Sequence, residues 1–204
     1  MPKLSIRNGS LAASLVILLG WGIKSWVKEP APRPLLGTLL EPRTQIAAFN
    51  LTDSKGQSFT RDSLLGKWTV LSFGFTHCPD ICPTTLAYFR DELNALPADA
   101  PVQFVFIGVD PERDPPEQLG AYINTFHPAI KGVTGSVADV TAFASNFFAY
   151  FKKEGIAKDG IYGMAHSPQY FLINPEGQWH VLYTPPMPRG ALAIDLKNLA
   201  AHKG

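Results

Sequence analysis

The stretch KWTVLSFGF at residues 67–75 runs directly into THCPDICP, and no other part of the chain restricts the fold as much. The first half is an apolar run rich in β-formers, the pattern of a central strand buried on both faces. In the second half, Pro83 suits the first position of a helix. Leu86, Phe89, Leu93 and Leu96 then follow at spacings that make one apolar helical face. A buried strand feeding a helix belongs to an α/β sheet, whose sites lie beyond the carboxyl ends of the strands. Cys78 and Cys82, the two cysteines of the chain, fall at that point.

The alternation continues downstream. VQFVFIGVD, residues 102–110, reads as a second buried strand. Asp114 through Glu117 form a D-x-x-E helix start, with Leu119, Tyr122, Ile123 and Phe126 on the buried face of the helix that follows. Ser136 and Asp139 cap another helix, apolar at Val137, Val140, Ala144 and Phe147. QYFLIN and QWHVLY flank the turn PEG as a hairpin, and Leu192, Leu196 and Leu199 mark a last helix. Upstream, Phe49–Asp53 and Gln57–Thr60 flank SKG as a further hairpin. The expected fold is an α/β sandwich in which a dithiol at a strand–helix junction suggests a thioredoxin-like arrangement.

Two cysteines four positions apart are one site and not a disulfide framework. Cys82 at a helix N-cap would have its thiolate favoured by free N–H groups and the helix dipole. A thiolate attacks disulfides and binds soft metals. The plainer reading is a disulfide that staples a turn, worth about 2 kcal/mol for so short a loop. CPDIC has one residue more than the C-x-x-C of thioredoxin-like redox motifs, so spacing alone leaves redox and metal chemistry both open. Copper(I) accepts two thiolates and an imidazole, whereas structural zinc takes four ligands. Of the five histidines, His77 would point away from Cys78 on an extended strand, His127 precedes Pro128 at a helix end, His180 lies in a hairpin, and His202 is near the carboxyl end. His166 stands just before a central strand, where its loop would approach the cysteine turn.

Asn8–Ile23 is free of charge, is preceded by Lys3 and Arg7, and is followed by Lys24. It is short of the ~20 residues that span a bilayer, but Lys24 snorkelling and Trp26 extend it. No A-x-A site follows, so an uncleaved signal anchor over residues 1–28 is expected in preference to a cleaved signal. Residues 29–43, with Pro30, Pro32, Pro34 and Pro42, read as an extended spacer, and residues 44–204 as the folded domain. Five of the 18 basic and two of the 17 acidic residues fall within 1–41, which leaves 13 bases against 15 acids in the body. That balance argues against nucleic-acid binding.

FTHCPDICPTTL at 75–86, VDPERD at 109–114 and HSPQYFLINPEG at 166–177 occur in an order that resembles the Sco/SenC copper-chaperone family, over about residues 42–203. The resemblance implies a thioredoxin-like domain tethered to an energy-transducing membrane, and the short chain without an Arg- and Ser-rich transit peptide favours a bacterial inner membrane, with the domain facing the periplasm. It implies copper ligands at Cys78, Cys82 and His166 and a role in assembling the dinuclear CuA site of cytochrome c oxidase subunit II, with copper supplied by a donor chaperone. Where the family often has aspartate before the histidine, this chain has Ala165. Asp110, Glu112, Arg113 and Asp114 match the family's acidic turn and read most simply as a helix-start network. A monomeric metallochaperone is the first expectation, and a thiol–disulfide reductase using Cys78 and Cys82 the second. A peroxidase using Thr76 has no assignable arginine.

Overall fold

The buried run at the centre of the sequence is the centre of the sheet. The computed structural model describes Pro34, residues 36–156 and residues 162–201. Its strands are β1 (Thr38–Gln45), β2 (Asn50–Asp53), β3 (Ser58–Thr60), β4 (Trp68–Gly74), β5 (Val102–Gly108), β6 (Ile130–Thr134), β7 (Phe151–Ile156), β8 (Tyr162–His166), β9 (Tyr170–Ile173) and β10 (Gln178–Tyr183). The α-helices are α1 (Ile81–Asn94), α2 (Pro116–Asn124), α3 (Val137–Ser145) and α4 (Ala191–Ala201).

Eight strands form one sheet in the order β1-β10-β9-β4-β5-β6-β2-β3, and β7 with β8 forms a separate two-stranded sheet. Every residue of β4 is buried. The strand pairs in parallel with β5 from Trp68↔Val102 to Gly74↔Gly108 and antiparallel with β9 from Thr69↔Ile173 to Ser72↔Tyr170. The parallel pairs β4–β5 and β5–β6 need crossovers, and α1 and α2 supply them.

Aromatic contacts fix the layers. Phe89 of α1 meets Phe104 and Tyr170 at ring-centroid distances of 5.0 and 5.1 Å. Phe73, one step along β4 and so on the other face, meets Phe143 of α3 and Phe147. Helix α2 beds on Gly108 and Gly132, where an added Cβ would come within 3.0 Å of Leu119 and 2.7 Å of Ile123. Glu92 is fully buried on α1, and its carboxylate accepts hydrogen bonds from the N–H groups of Gly190 (2.5 Å) and Ala193 (2.8 Å) at the start of α4. A carboxylate there offsets the unpaired donors and positive end of α4.

Several expectations are corrected. Residues 38–43, read as spacer, belong to β1, which pairs antiparallel with β10 through Thr38↔Leu182 and Gln45↔Gln178. Helix α1 begins at Ile81 with Asp80 as its N-cap, so Pro83 is its third residue and Cys82 its second. Asp114 does not start α2. Its fully buried carboxylate turns inward to the N–H of Thr76 at 2.7 Å and to the Thr76 hydroxyl, and Pro115 occupies the N-cap. Ser136 does cap α3, accepting from the N–H of Asp139 at 3.1 Å, but Val137 is exposed. The β7–β8 hairpin was not expected at all.

Among the described residues no helix is long and apolar enough to cross a membrane. The expected anchor at residues 1–28 lies outside the described residues, as does His202.

Candidate metal centre

Three elements converge beyond the carboxyl end of β4. Cys78 sits in the loop between β4 and α1, Cys82 on the first turn of α1, and His166 at the last position of β8. One ligand atom from each lies within 4.8 Å of the others. Cys82 Sγ is 3.5 Å from His166 Nε2, and the Cys82 N–H donates to Cys78 Sγ at 3.4 Å. The expected trio is therefore brought together.

The cysteine half is cut into the core. Cys82 is 1% exposed and Cys78 half-buried, and both are free thiols in this structure. Gly74 makes the space for Cys82, since an added Cβ would come within 2.8 Å of its sulfur. Burial pushes the Cys82 thiol well above the ordinary range, only partly opposed by a hydrogen bond to the backbone of Phe75. The expectation of a thiolate favoured by the helix terminus is thus reversed for Cys82 without metal, because desolvation outweighs the helix dipole. A soft cation would restore the thiolate by replacing the proton, so binding should release protons.

The loop before Cys78 is pinned by buried Asp114. The exposed His77 ring lies with Nδ1 3.0 Å from the Thr76 hydroxyl oxygen and 3.6 Å from an Asp114 oxygen, away from the sulfurs as expected. His127 accepts from the N–H of Ala129, and buried His180 packs on Trp68, so neither joins the site.

The histidine half rests on the hairpin. His166 Nδ1 lies 3.2 Å from the carbonyl of Ser167. A carbonyl only accepts, so Nδ1 carries the proton and Nε2 turns its lone pair to the sulfurs. This carbonyl supplies what the absent carboxylate at Ala165 would otherwise provide. Burial lowers the affinity of His166 for a second proton, which keeps the imidazole neutral. Its ring stands edge-on to Phe75 at 6.0 Å. Two sulfurs and one imidazole fit a low-coordinate soft cation, and among the described residues no fourth ligand of the kind structural zinc takes joins them.

The acidic turn does something other than start a helix. Arg113 Nε donates to Asp110 Oδ2 at 2.5 Å, and Lys153 Nζ to Glu112 Oε2 at 2.6 Å. Both link the turn to the hairpin, because the guanidinium carbon of Arg113 lies 3.7 Å from the centre of the Tyr162 ring.

A dithiol at the strand–helix junction of a mixed sheet, completed by an imidazole from a separate two-stranded hairpin, defines a thioredoxin-like metal-binding domain. The family model described as SCO1/SenC matches residues 38–201, and the chain belongs to that family. It is 42% identical over 135 residues to "Protein SCO2, mitochondrial" of Saccharomyces cerevisiae, covering 64% of this chain and 44% of that protein. It is 37% identical over 181 residues to a "Putative copper-binding protein" of Stutzerimonas stutzeri, covering 87% of each. The structure of Bradyrhizobium japonicum ScoI with copper bound superposes with a TM-score of 0.70 at 37% identity, covering 76% of this chain and 98% of that one. The chain spans about half the length of the mitochondrial relatives it matches.

Proposed function

We infer that this protein is a copper-binding assembly factor that takes up copper at Cys78, Cys82 and His166 and passes it to a partner's ligands. The observation that carries this reading is the convergence of the three donor atoms within 4.8 Å of one another. Copper is the cargo. It enters by displacing the thiol protons and leaves by exchanging ligands one at a time. Half-buried Cys78 is the sulfur an incoming ligand reaches first, and buried Cys82 holds the ion from the inner side.

The recipient is the CuA site of cytochrome c oxidase subunit II, supplied through a donor chaperone, a reading supported by family membership and the three motifs. Residues 1–28 anchor the chain as a single pass in the inner membrane, a spacer follows, and the domain faces the periplasm. This placement rests on the uncharged run Asn8–Ile23 and on a dithiol suited to an oxidising compartment.

The unequal burial of the two sulfurs favours a second reading, thiol–disulfide reduction. Cys78 is placed to attack a partner's disulfide, and Cys82 to resolve the mixed disulfide.

Titration of the reduced domain with Cu(I) and Cu(II) tests the first reading. One copper per reduced chain, and essentially none at this site after oxidation of the pair, is the expected result. Equal binding in both states would overturn it. A pure reductase would be indifferent to His166→Ala.

A further inference from the structure

The cysteines are held by the core of the large sheet, but β7 and β8 pair only with each other among the described residues. His166 therefore depends on whatever holds the hairpin against the body. Tyr162, Met164 and His166 alternate along β8 and share one face. At its base the two ends of the hairpin are tied to each other by Ser167, whose N–H donates to the Tyr150 carbonyl at 3.0 Å and whose hydroxyl accepts from the Tyr150 N–H at 3.0 Å. Met164 and Phe151 pack against the core. At the far end of β8, about 13 Å from His166 at the strand's rise per residue, the acidic turn makes the attachment, with Glu112 paired to Lys153 of β7 and one further side chain bonded to the backbone of β8.

That side chain is Arg113. Its Nη1 donates to the Tyr162 carbonyl at 3.0 Å, its guanidinium carbon lies 3.7 Å from the Tyr162 ring centre, and its Nε donates to the buried carboxylate of Asp110 at 2.5 Å. The Tyr162 hydroxyl donates to the other Asp110 oxygen at 2.9 Å, which closes a ring of contacts. The guanidinium carbon of Arg113 also lies 5.7 Å from the centre of the Phe75 ring, against which the His166 imidazole stands edge-on. Arg113 thus touches both the strand that carries His166 and the ring that orients it, without reaching the ligand atoms. Its Nη2 is buried and has no hydrogen-bond partner among the described residues.

The geometry points to Arg113 as a positioning residue for copper. Together with Asp110 and Tyr162 it latches the β7–β8 hairpin so that the His166 nitrogen is presented to the two sulfurs. The latch rests on the copper-binding reading above and adds a determinant of the third ligand. With the latch released, the two thiolates remain and the imidazole is no longer held in place. Cu(I), which two thiolates hold nearly linearly, is retained, and Cu(II), which needs the nitrogen, is weakened.

The test uses the full chain, loaded separately with Cu(I) and Cu(II) against competing chelators, with the thiolate-to-Cu(II) charge-transfer band as a second readout. Arg113→Met should lower Cu(II) affinity about tenfold, the lower end of what outer-shell changes cost, shift the band, and leave Cu(I) affinity within about twofold. In a His166→Ala background, Arg113→Met should add nothing, because the group it positions is gone. Because Arg113→Met leaves Asp110 buried without its cation, Tyr162→Leu is the companion variant. It keeps the Arg113–Asp110 pair and the bond to the carbonyl of residue 162 but removes the ring and the hydroxyl, so it should show part of the Cu(II) loss and a band shift in the same direction. An effect of Arg113→Met that persists undiminished without His166, or unchanged Cu(II) binding in Tyr162→Leu, would overturn the latch. Wild type that binds copper with no dependence on His166 would overturn the three-ligand reading and the latch with it. Wild type that depends on His166 while both latch variants bind normally would overturn the latch alone.

Discussion

The two halves of the metal centre are built to different standards of rigidity. Cys82 is embedded where β4 meets α1, under a strand every residue of which is buried. His166 comes from a hairpin whose strands β7 and β8 add nothing to the main sheet. A protein that only stored a metal would gain by fixing all three ligands. One that must release its ion gains by fixing two and presenting the third on an attachment that can be undone. Local stability follows the density of buried contacts, and the elements that move come from its lower end.

The largest effect should come from breaking the rigid half. Cys78→Ser replaces a soft donor by a hydroxyl and should cost more than about 100-fold in copper affinity, beyond what outer-shell changes produce. The fold should survive, since Cys78 is only half-buried. Chelator competition with thermal unfolding alongside would check both parts. Cys82 is only 1% exposed, so its own replacement should cost fold stability as well as copper affinity.

Acid should separate the main sheet from the hairpin next. Burial, with the Arg43 charge, lowers the pKa of His180 on β10 to about 4, against about 6.5 when unfolded. Above pH 6.5 the ring is neutral in both states and adds no pH dependence. As pH falls towards 4 the unfolded chain takes up a proton that the folded one refuses, so stability is lost across that window. The difference corresponds to roughly 3 kcal/mol. Denaturant midpoints measured from pH 7 to 4 on wild type and His180→Phe should diverge, with the variant losing less.

A paired glycine substitution sharpens the contrast. Gly74→Ala places a Cβ 2.8 Å from Cys82 Sγ and against the Phe106 ring, so it should cost about 1–3 kcal/mol and lower copper affinity together. Gly163→Ala in β8 meets nothing nearer than the Glu154 carbonyl at 3.6 Å and should stay within about 0.5 kcal/mol of wild type. Unfolding curves that rank the two the other way would remove the asymmetry.

Sequence reading reached the rigid half and missed the attachment of the other, for physical reasons. The long apolar run of β4, the Leu86 and Phe89 stripe and the Ser136 cap are local signals, and each appears where expected. The segments FKKEGI and YGMAH carry no alternation of apolar and polar residues, because their strands pair with each other and cover little core. TLLEPRTQ is mostly exposed as the edge strand β1, which made it indistinguishable from spacer. Asp114 offered a helix-start pattern, but a long-range bond to Thr76 took its carboxylate. The contacts of Arg113 with Tyr162 join positions 49 apart, a separation at which no local pattern exists. The three candidate ligands, which the structure brings within 4.8 Å of one another, were legible through the family motifs, whereas their unequal burial was not.

X-ray absorption at the copper edge of the reduced, Cu(II)-loaded and Cu(I)-loaded protein tests the division of labour most directly. The account predicts two sulfur scatterers in both oxidation states and one imidazole in the Cu(II) form. In His166→Ala the imidazole should disappear while both sulfurs persist. A first shell with fewer than two sulfurs, or an imidazole signal that survives His166→Ala, would contradict it.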